Sequence, residues 1–230
     1  LWNLQVVTTD ECKNGWGDDS WVPELNNNTW SDIKNESIDG VYYRSMFIVA
    51  LANEYLKQTT EEKLVQRGHT SIKAEVDKYR LEARFMRALA YSILIDTYGN
   101  PPFITEEHSI GGYMPEQIGR VEMFKYIESE LLDIESKIAT PRTNEYGRAD
   151  QGAVWTLLAR LYLNAEVYTK TAKWTEVITY AKKVITAGYT LSNQYSHLFM
   201  ADNHSSGAKN EIIFPIIFDG NKIQTWGGMT

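Results

Sequence analysis

One cysteine, six prolines and four histidines in 230 residues remove several chemistries at the outset. A single thiol, Cys12, builds neither an internal disulfide nor a thiolate metal cluster within this chain. Positive charge is in deficit, with 23 Lys and Arg against 30 Asp and Glu and a net charge of -7. Nucleic acid and anionic headgroups both need a basic face, so neither is the expected partner. No apolar run approaches the roughly 18 residues of a membrane span. The histidines (His69, His108, His197, His204) are scattered, none at metal-ligand spacing from another histidine or a carboxylate. H-E-x-x-H, G-x-S-x-G, a Walker loop and G-x-G-x-x-G after a strand are all missing. Asp18-Asp19 fall far short of a calcium cage. Carboxylate pairs such as Glu130/Asp133 and Glu61/Glu62 read as solvated helix faces. Neither catalysis nor a bound metal or cofactor is expected.

Aromatic residues are plentiful by contrast, at 12% with seven Trp and fourteen Tyr. Trp2, Trp16, Trp21 and Trp30 crowd the N-terminal end. Residues 1–35 mix Asn, Asp, Gly and Trp without a helical period and read as loop with room for one short strand. From Ile38 the pattern changes: Ile38, Val41, Tyr42, Ser45, Ile48, Ala52 and Tyr55 recur at three- and four-residue steps, predicting an amphipathic helix to about Gln58. A second helix is predicted from Ser71 to Tyr98, with Tyr79, Ala83, Met86, Ala90, Ile93 and Thr97 on one face. Gly99, Asn100, Pro101 and Pro102 stop it. A third carries Phe124, Ile127, Leu131, Ile134 and Ile138; a fourth, Val154, Leu157, Leu158, Leu161, Tyr162 and Ala165; a fifth, Trp174, Val177, Ile178, Ala181, Val184 and Ile185. Glu211–Phe218 is short, apolar and β-branched, and Pro215 makes it an edge or irregular strand.

Helices joined by polar linkers suggest stacked pairs. The first two begin roughly 35 residues apart, near the tetratricopeptide period, and Trp155, Leu158, Ala159 and Tyr162 match W-x2-L-G-x2-Y with Ala for Gly. A small residue at 159 would let the fifth helix approach while Trp155 and Tyr162 fill either side. The linker Asn164–Lys173 is several residues too long for a standard repeat, so a generic helical hairpin stays open. The expected fold is mostly α: tetratricopeptide-like hairpins with irregular loops and a few short strands. Three regions follow: a loop-rich segment 1–35, a helical domain 36–190, and 191–230 as the start of a loop- and strand-rich part. The chain starts without Met and stops after Trp226-Gly227-Gly228, so it reads as a piece of something longer.

The loop Asp10–Pro23 (DECKNGWGDDSWVP) sets two tryptophans among Gly, Asp and Asn. An indole held open there offers an apolar face to the axial C–H groups of a pyranose, and nearby amides and carboxylates suit its hydroxyls. The candidate glycan-binding residues are Trp16, Asp19, Asn14, Asp18 and Trp21. Composition alone favours the plainer role for either tryptophan, a plug seating the loop on the helical core.

The second helix carries a resemblance. Tyr79 through Tyr91 (YRLEARFMRALAY), then Leu94, Asp96, Tyr98-Gly99 and Pro102, closely resemble the "EaRFlRAlaY…l…fGdvP" signature of the SusD/RagB family, surface glycan-binding lipoproteins of Bacteroidetes. Tyr146–Asp150 leading into Trp155–Ala165 resembles "GRadk.aa..llArlYLnaG", and Tyr180–Ile185 resembles "YA.kVI". Tyr195, Leu198-Phe199 and Asn210–Phe214 resemble "nY..LF…neiIf". The likeness spans about Asp10 to Gly228. It is strongest toward the starch-binding founder of the family through Thr9–Cys12, Leu198–Asn203 and Asp219-Gly220.

The resemblance implies a tetratricopeptide-like scaffold carrying an irregular ligand half. It implies no catalysis and no cofactor, but capture of oligosaccharide at the cell surface and delivery to a SusC-like TonB-dependent outer-membrane transporter. The helical face would dock on the transporter, and an N-terminal lipid anchor lying upstream of Leu1 would hold the protein to the outer membrane. Trp16 stands where the founder has an arc tryptophan and Asp19 where it has an asparagine. Asn14 replaces a second tryptophan, and Gly17 and Trp21 also depart. Those departures bear on starch specificity, not on glycan binding in general. Arg84 and Arg87 are assigned to ion pairs within the helices, with Asp96 and Glu82 as candidate partners. The alternative function is a tetratricopeptide-type scaffold that binds a protein segment in its concave groove.

Overall fold

The computed structural model describes residues 1–16, 19, 21–30, 35–108, 114–218, 220 and 221. Its body is a row of helices, built where the sequence repeats at the helical period. Helix α1 spans Trp21–Asn27, α2 Glu36–Gln58, α3 Glu61–Gln66, α4 Lys73–Tyr98, α5 Arg120–Glu135, α6 Gln151–Leu163, α7 Ala165–Thr169 and α8 Trp174–Thr186. Each long helix packs on the next: α2 on α4, α4 on α5, α5 on α6, and α6 on α8.

The helix ends follow local chemistry. Asn35, buried, opens α2 by accepting from the Ser37 and Ile38 amides, and Asp150 opens α6 by accepting from Ala153 N–H at 3.1 Å. Gly99, at φ +79°, closes α4 in a conformation that penalises any residue with a Cβ.

Burial matches the predicted stripes closely in α5 and α6. Met123, Phe124, Ile127, Leu131 and Ile134 sit at 2% exposure or less, and Val154, Leu157, Leu158, Leu161 and Tyr162 are all buried. The buried side of α4 differs from the predicted one. Phe85, Ala88, Ala90, Tyr91, Leu94 and Ile95 are interior because α4 is covered by α2 on one side and α5 on the other.

Three further expectations are corrected. Among the described residues of 1–35 there is no strand: a π-helical turn at Asn3–Val7 and helix α1, with Val22 and Leu25 at 1% exposure each, flank the irregular stretch 8–16. The over-long linker Asn164–Lys173 holds α7, whose Ala165 and Tyr168 are buried and whose Tyr168 hydroxyl donates to Asp96 at 2.8 Å. Glu211–Phe218 forms no strand among the described residues. Ile213 and Phe214 pack instead on the helical core, the Phe214 ring meeting Phe85 edge-on at 5.3 Å. A strand needs a laddered neighbour, and the only pairing among the described residues is the isolated bridge between Pro102 and Gln117.

Charge stitches the body together at its centre. Arg84 grips Glu130 through Nε at 3.1 Å and Nη2 at 2.8 Å, and reaches Asp133 at 2.6 Å. Arg87, 2% exposed, donates to Glu130 at 2.9 Å, to Asn53 at 2.6 Å and to Glu106. Both arginines do serve the helical stack, but with other partners than those predicted. Glu82 instead receives Arg148 at 2.6 Å, and Asp96 receives Tyr168 and Gln5. Glu130, its side chain only 14% exposed, is thus a structural anchor, whereas Asp133 lies on the solvated face with Arg84 and Lys137 beside it. Burial works to raise the Glu130 carboxyl, yet the two arginines hold it below the ordinary carboxylate value of 4.5.

Candidate functional site

The candidate loop is short, and neutral amides fix it. Asn14 N–H donates to Asn26 Oδ1 at 3.0 Å, and Asn26 Nδ2 donates back to the Asn14 carbonyl at 2.8 Å. Asn14 Oδ1 in turn accepts from the Trp16 amide at 2.9 Å, closing an Asx-type turn around Gly15. The clamp therefore grips backbone on one side and sets the backbone of Trp16 on the other.

Beyond that turn, Trp16 stands 67% exposed, its indole free of the core. Trp21 is different. It opens α1, is half-buried, and its carbonyl accepts from Asn35 Nδ2 at 3.3 Å, which suits the plug role considered for either tryptophan. Asp19 is exposed, its carbonyl accepting from Val22 N–H at 3.1 Å at the start of α1. Its carboxylate has no partner among the described residues. Asn14 acts as a strut inside the turn. Asp18 lies outside the described residues, as do Gly17, Asp219 and the Trp226-Gly227-Gly228 run. The residue that sequence reasoning missed is Asn26, because an amide partner twelve positions away leaves no local pattern.

The loop is also tied to the helical body. Val22 and Leu25 bury one side of α1, while Asn35, the cap of α2, donates to Glu24 Oε2 at 2.8 Å. One asparagine thus serves two helices, starting α2 and holding α1 beside it.

A larger opening of about 390 Å³ lies elsewhere, lined by Tyr146, Arg148, Asp150, Tyr189 and Asn210 among others. Its polar groups are largely committed to one another. Arg148 pairs with Glu82, Asp150 accepts from Arg142 N–H at 2.6 Å, and Asn210 accepts from Arg142 at 3.2 Å. Burial first, and Asp150 second, push the Tyr189 hydroxyl well above its ordinary value. Such a cluster holds the 140s loop to the chain after α8.

Among the described residues no group of three His, Cys, Asp or Glu side chains is placed to hold a metal ion. No helix among them is long and apolar enough to cross a membrane.

Comparison with known proteins gives one consistent answer. No family model matches the chain. The starch-binding protein SusD of Bacteroides thetaiotaomicron is 39% identical over 229 residues, covering 99% of this chain and 39% of that protein. The chain therefore spans well under half the length of this curated relative. A crystal structure with a xylogluco-oligosaccharide superposes with a TM-score of 0.71 at 19% identity, over 93% of this chain and 42% of the other. A SusD-like protein from Bacteroides fragilis gives a TM-score of 0.67 at 20% identity, over 86% and 36%. A laminarin-binding SusD-like protein gives 0.64 at 17% identity, over 83% and 40%. Identities this low speak for the fold alone, while the SusD match carries the sequence along almost the whole chain. Helical architecture, motif order and sequence identity point the same way: the chain is similar in sequence to SusD along almost its whole length and in fold to SusD-like proteins.

Proposed function

We propose that this chain is the ligand-bearing N-terminal portion of a non-catalytic glycan receptor, which captures oligosaccharide on the Trp16 indole. The observation that carries the reading is an indole 67% exposed on a loop that reciprocal amide bonds hold fixed. A flat apolar face in a wet, polar loop costs solvation when bare and recovers it when a pyranose ring covers it. Asp19, Asn14, Asp18 and Trp21 are assigned to the same site, Asp19 offering an acceptor for sugar hydroxyls. Support comes from relatives whose names state starch binding and laminarin binding, and from the neighbour solved with a xylogluco-oligosaccharide.

In this reading residues 36–190 are a tetratricopeptide-like scaffold, 1–35 carry the ligand loop, and 191–230 open a loop-rich C-terminal part. The protein sits on the outer membrane through an N-terminal lipid anchor and passes its ligand to a SusC-like TonB-dependent transporter. Helix α8 supports a protein contact on the helical side, since Trp174, Ile178 and Ile185 remain 53%, 56% and 75% exposed along one face. The same stripe is what favours the second reading, a scaffold that binds protein alone.

Affinity electrophoresis of the full-length protein through amylopectin, laminarin and xyloglucan gels tests the choice. Retention by at least one polysaccharide, lost in Trp16→Ala with an unchanged melting temperature, is the expected result. A protein that no gel retards is the scaffold of the second reading.

A further inference from the structure

We propose that Asn26 is a positioning residue for the ligand loop, the link between α1 and Asn14 in an amide relay that joins the helical body to Trp16. The inference rests on the carbohydrate reading of Trp16. The relay begins at the buried Asn35, which caps α2 and donates to the Trp21 carbonyl and to Glu24 of α1. Helix α1 sits on the π-helical turn Asn3–Val7 with Val22 and Leu25 buried, and Asn35 ties it to α2, so its orientation is set before the loop is reached. Asn26, near the end of α1, then takes both backbone groups of Asn14 at 3.0 and 2.8 Å, and the Asn14 side chain takes the Trp16 amide at 2.9 Å.

Each link uses the property the next one needs. The Asn26 carboxamide accepts from an N–H through its oxygen and donates to a C=O of the same residue through its nitrogen, a pairing that neither an ionised Asp nor Ala reproduces. With Asn14 immobilised, its own carboxamide is free to fix the following turn and present residue 16 outward. An exposed tryptophan on a slack loop would fold onto apolar neighbours and would lose conformational entropy on meeting a sugar. A pre-set one does neither. The links between Asn26, Asn14 and Trp16 are all neutral, while the upstream link from Asn35 to α1 includes the Glu24 carboxylate.

The test uses the full-length protein and the polysaccharide, among amylopectin, laminarin and xyloglucan, that retards it most. Asn26→Ala is expected to bind about tenfold more weakly, with the melting temperature moved by no more than about 5 °C. Hydrogen exchange supplies a readout independent of ligand: the amides of residues 12–16 exchange faster in Asn26→Ala. Asn26→Asp, which keeps the acceptor and loses the donor, lies between Ala and the native residue. Native-like exchange at residues 12–16 in Asn26→Ala would overturn the relay. So would native affinity in that variant while Trp16→Ala abolishes binding. If Trp16→Ala itself binds normally, the carbohydrate reading of this loop fails, and the exchange measurement still decides whether Asn26 holds the turn.

Discussion

Arg87 and Trp16 stand at opposite extremes of this molecule. Arg87 is 2% exposed, in the middle of the longest helix, and three neighbouring elements satisfy its charge through Asn53, Glu106 and Glu130. Trp16 is 67% exposed at the tip of a turn, and what holds it is two neutral asparagines acting on backbone. The body thus puts charge inside and stakes its stability on that charge staying paired. The loop puts an apolar ring outside, where it adds little to stability. Regions that differ in this way should also fail differently, and the variants below separate them.

The largest effect belongs to the body. Arg87→Ala leaves Glu130 and Glu106 in a partly buried site without their shared partner, and the loss should be about 3–5 kcal/mol by urea unfolding. A loss under about 1 kcal/mol would mean that water serves Glu106 and that Arg84, already on Glu130, suffices there alone, so that the buried charge is ornamental.

Acid comes next. Glu130 and Glu135 are both held below the ordinary value of 4.5: burial opposes this in each, and is outweighed by Arg84 and Arg87 at Glu130 and by Lys183, Trp155 and Tyr180 at Glu135. A carboxylate depressed in the folded state takes up fewer protons than it does unfolded. Its stabilisation is complete above about pH 4.5 and is lost as the pH falls through the lower, folded value. Thermal melts from pH 7 to pH 3 should show a plateau and then a decline below about pH 4.5, steeper in the native protein than in Glu130→Gln. Identical profiles would remove Glu130 from the account.

The smallest effect lies at the joint between the two regions. Asn35→Ala deletes the cap of α2 together with its bonds to α1, and should cost about 1–2 kcal/mol. It should also quicken exchange in α1 more than in α5. Uniform loosening of both helices would show that α1 is no separate link.

How much of this could be read beforehand follows from how local each signal is. Helices α5 and α6 announce themselves because Phe124, Ile127, Leu131 and Ile134, or Val154, Leu158 and Leu161, repeat within one element. Helix α7 has five residues, too few to show a period, so its segment read as linker. Partners of Arg84 lie 46 and 49 positions away, and no spacing rule within a helix points to them. The run at 211–218 carried true strand composition, but Phe214 found an aromatic ring in the helical core before it found another strand. At the site, composition favours a plug for either tryptophan, and Trp16 stands 67% exposed instead; the clamp at Asn26 likewise depends on a turn that only three dimensions display.

A crystal structure of the full-length protein with a bound oligosaccharide addresses the central claim most directly. We expect a pyranose ring lying parallel to the Trp16 indole at about 4 Å, with hydroxyls reaching toward Asp19. A sugar seated elsewhere, with Trp16 bare or folded beneath its neighbours, would contradict the account.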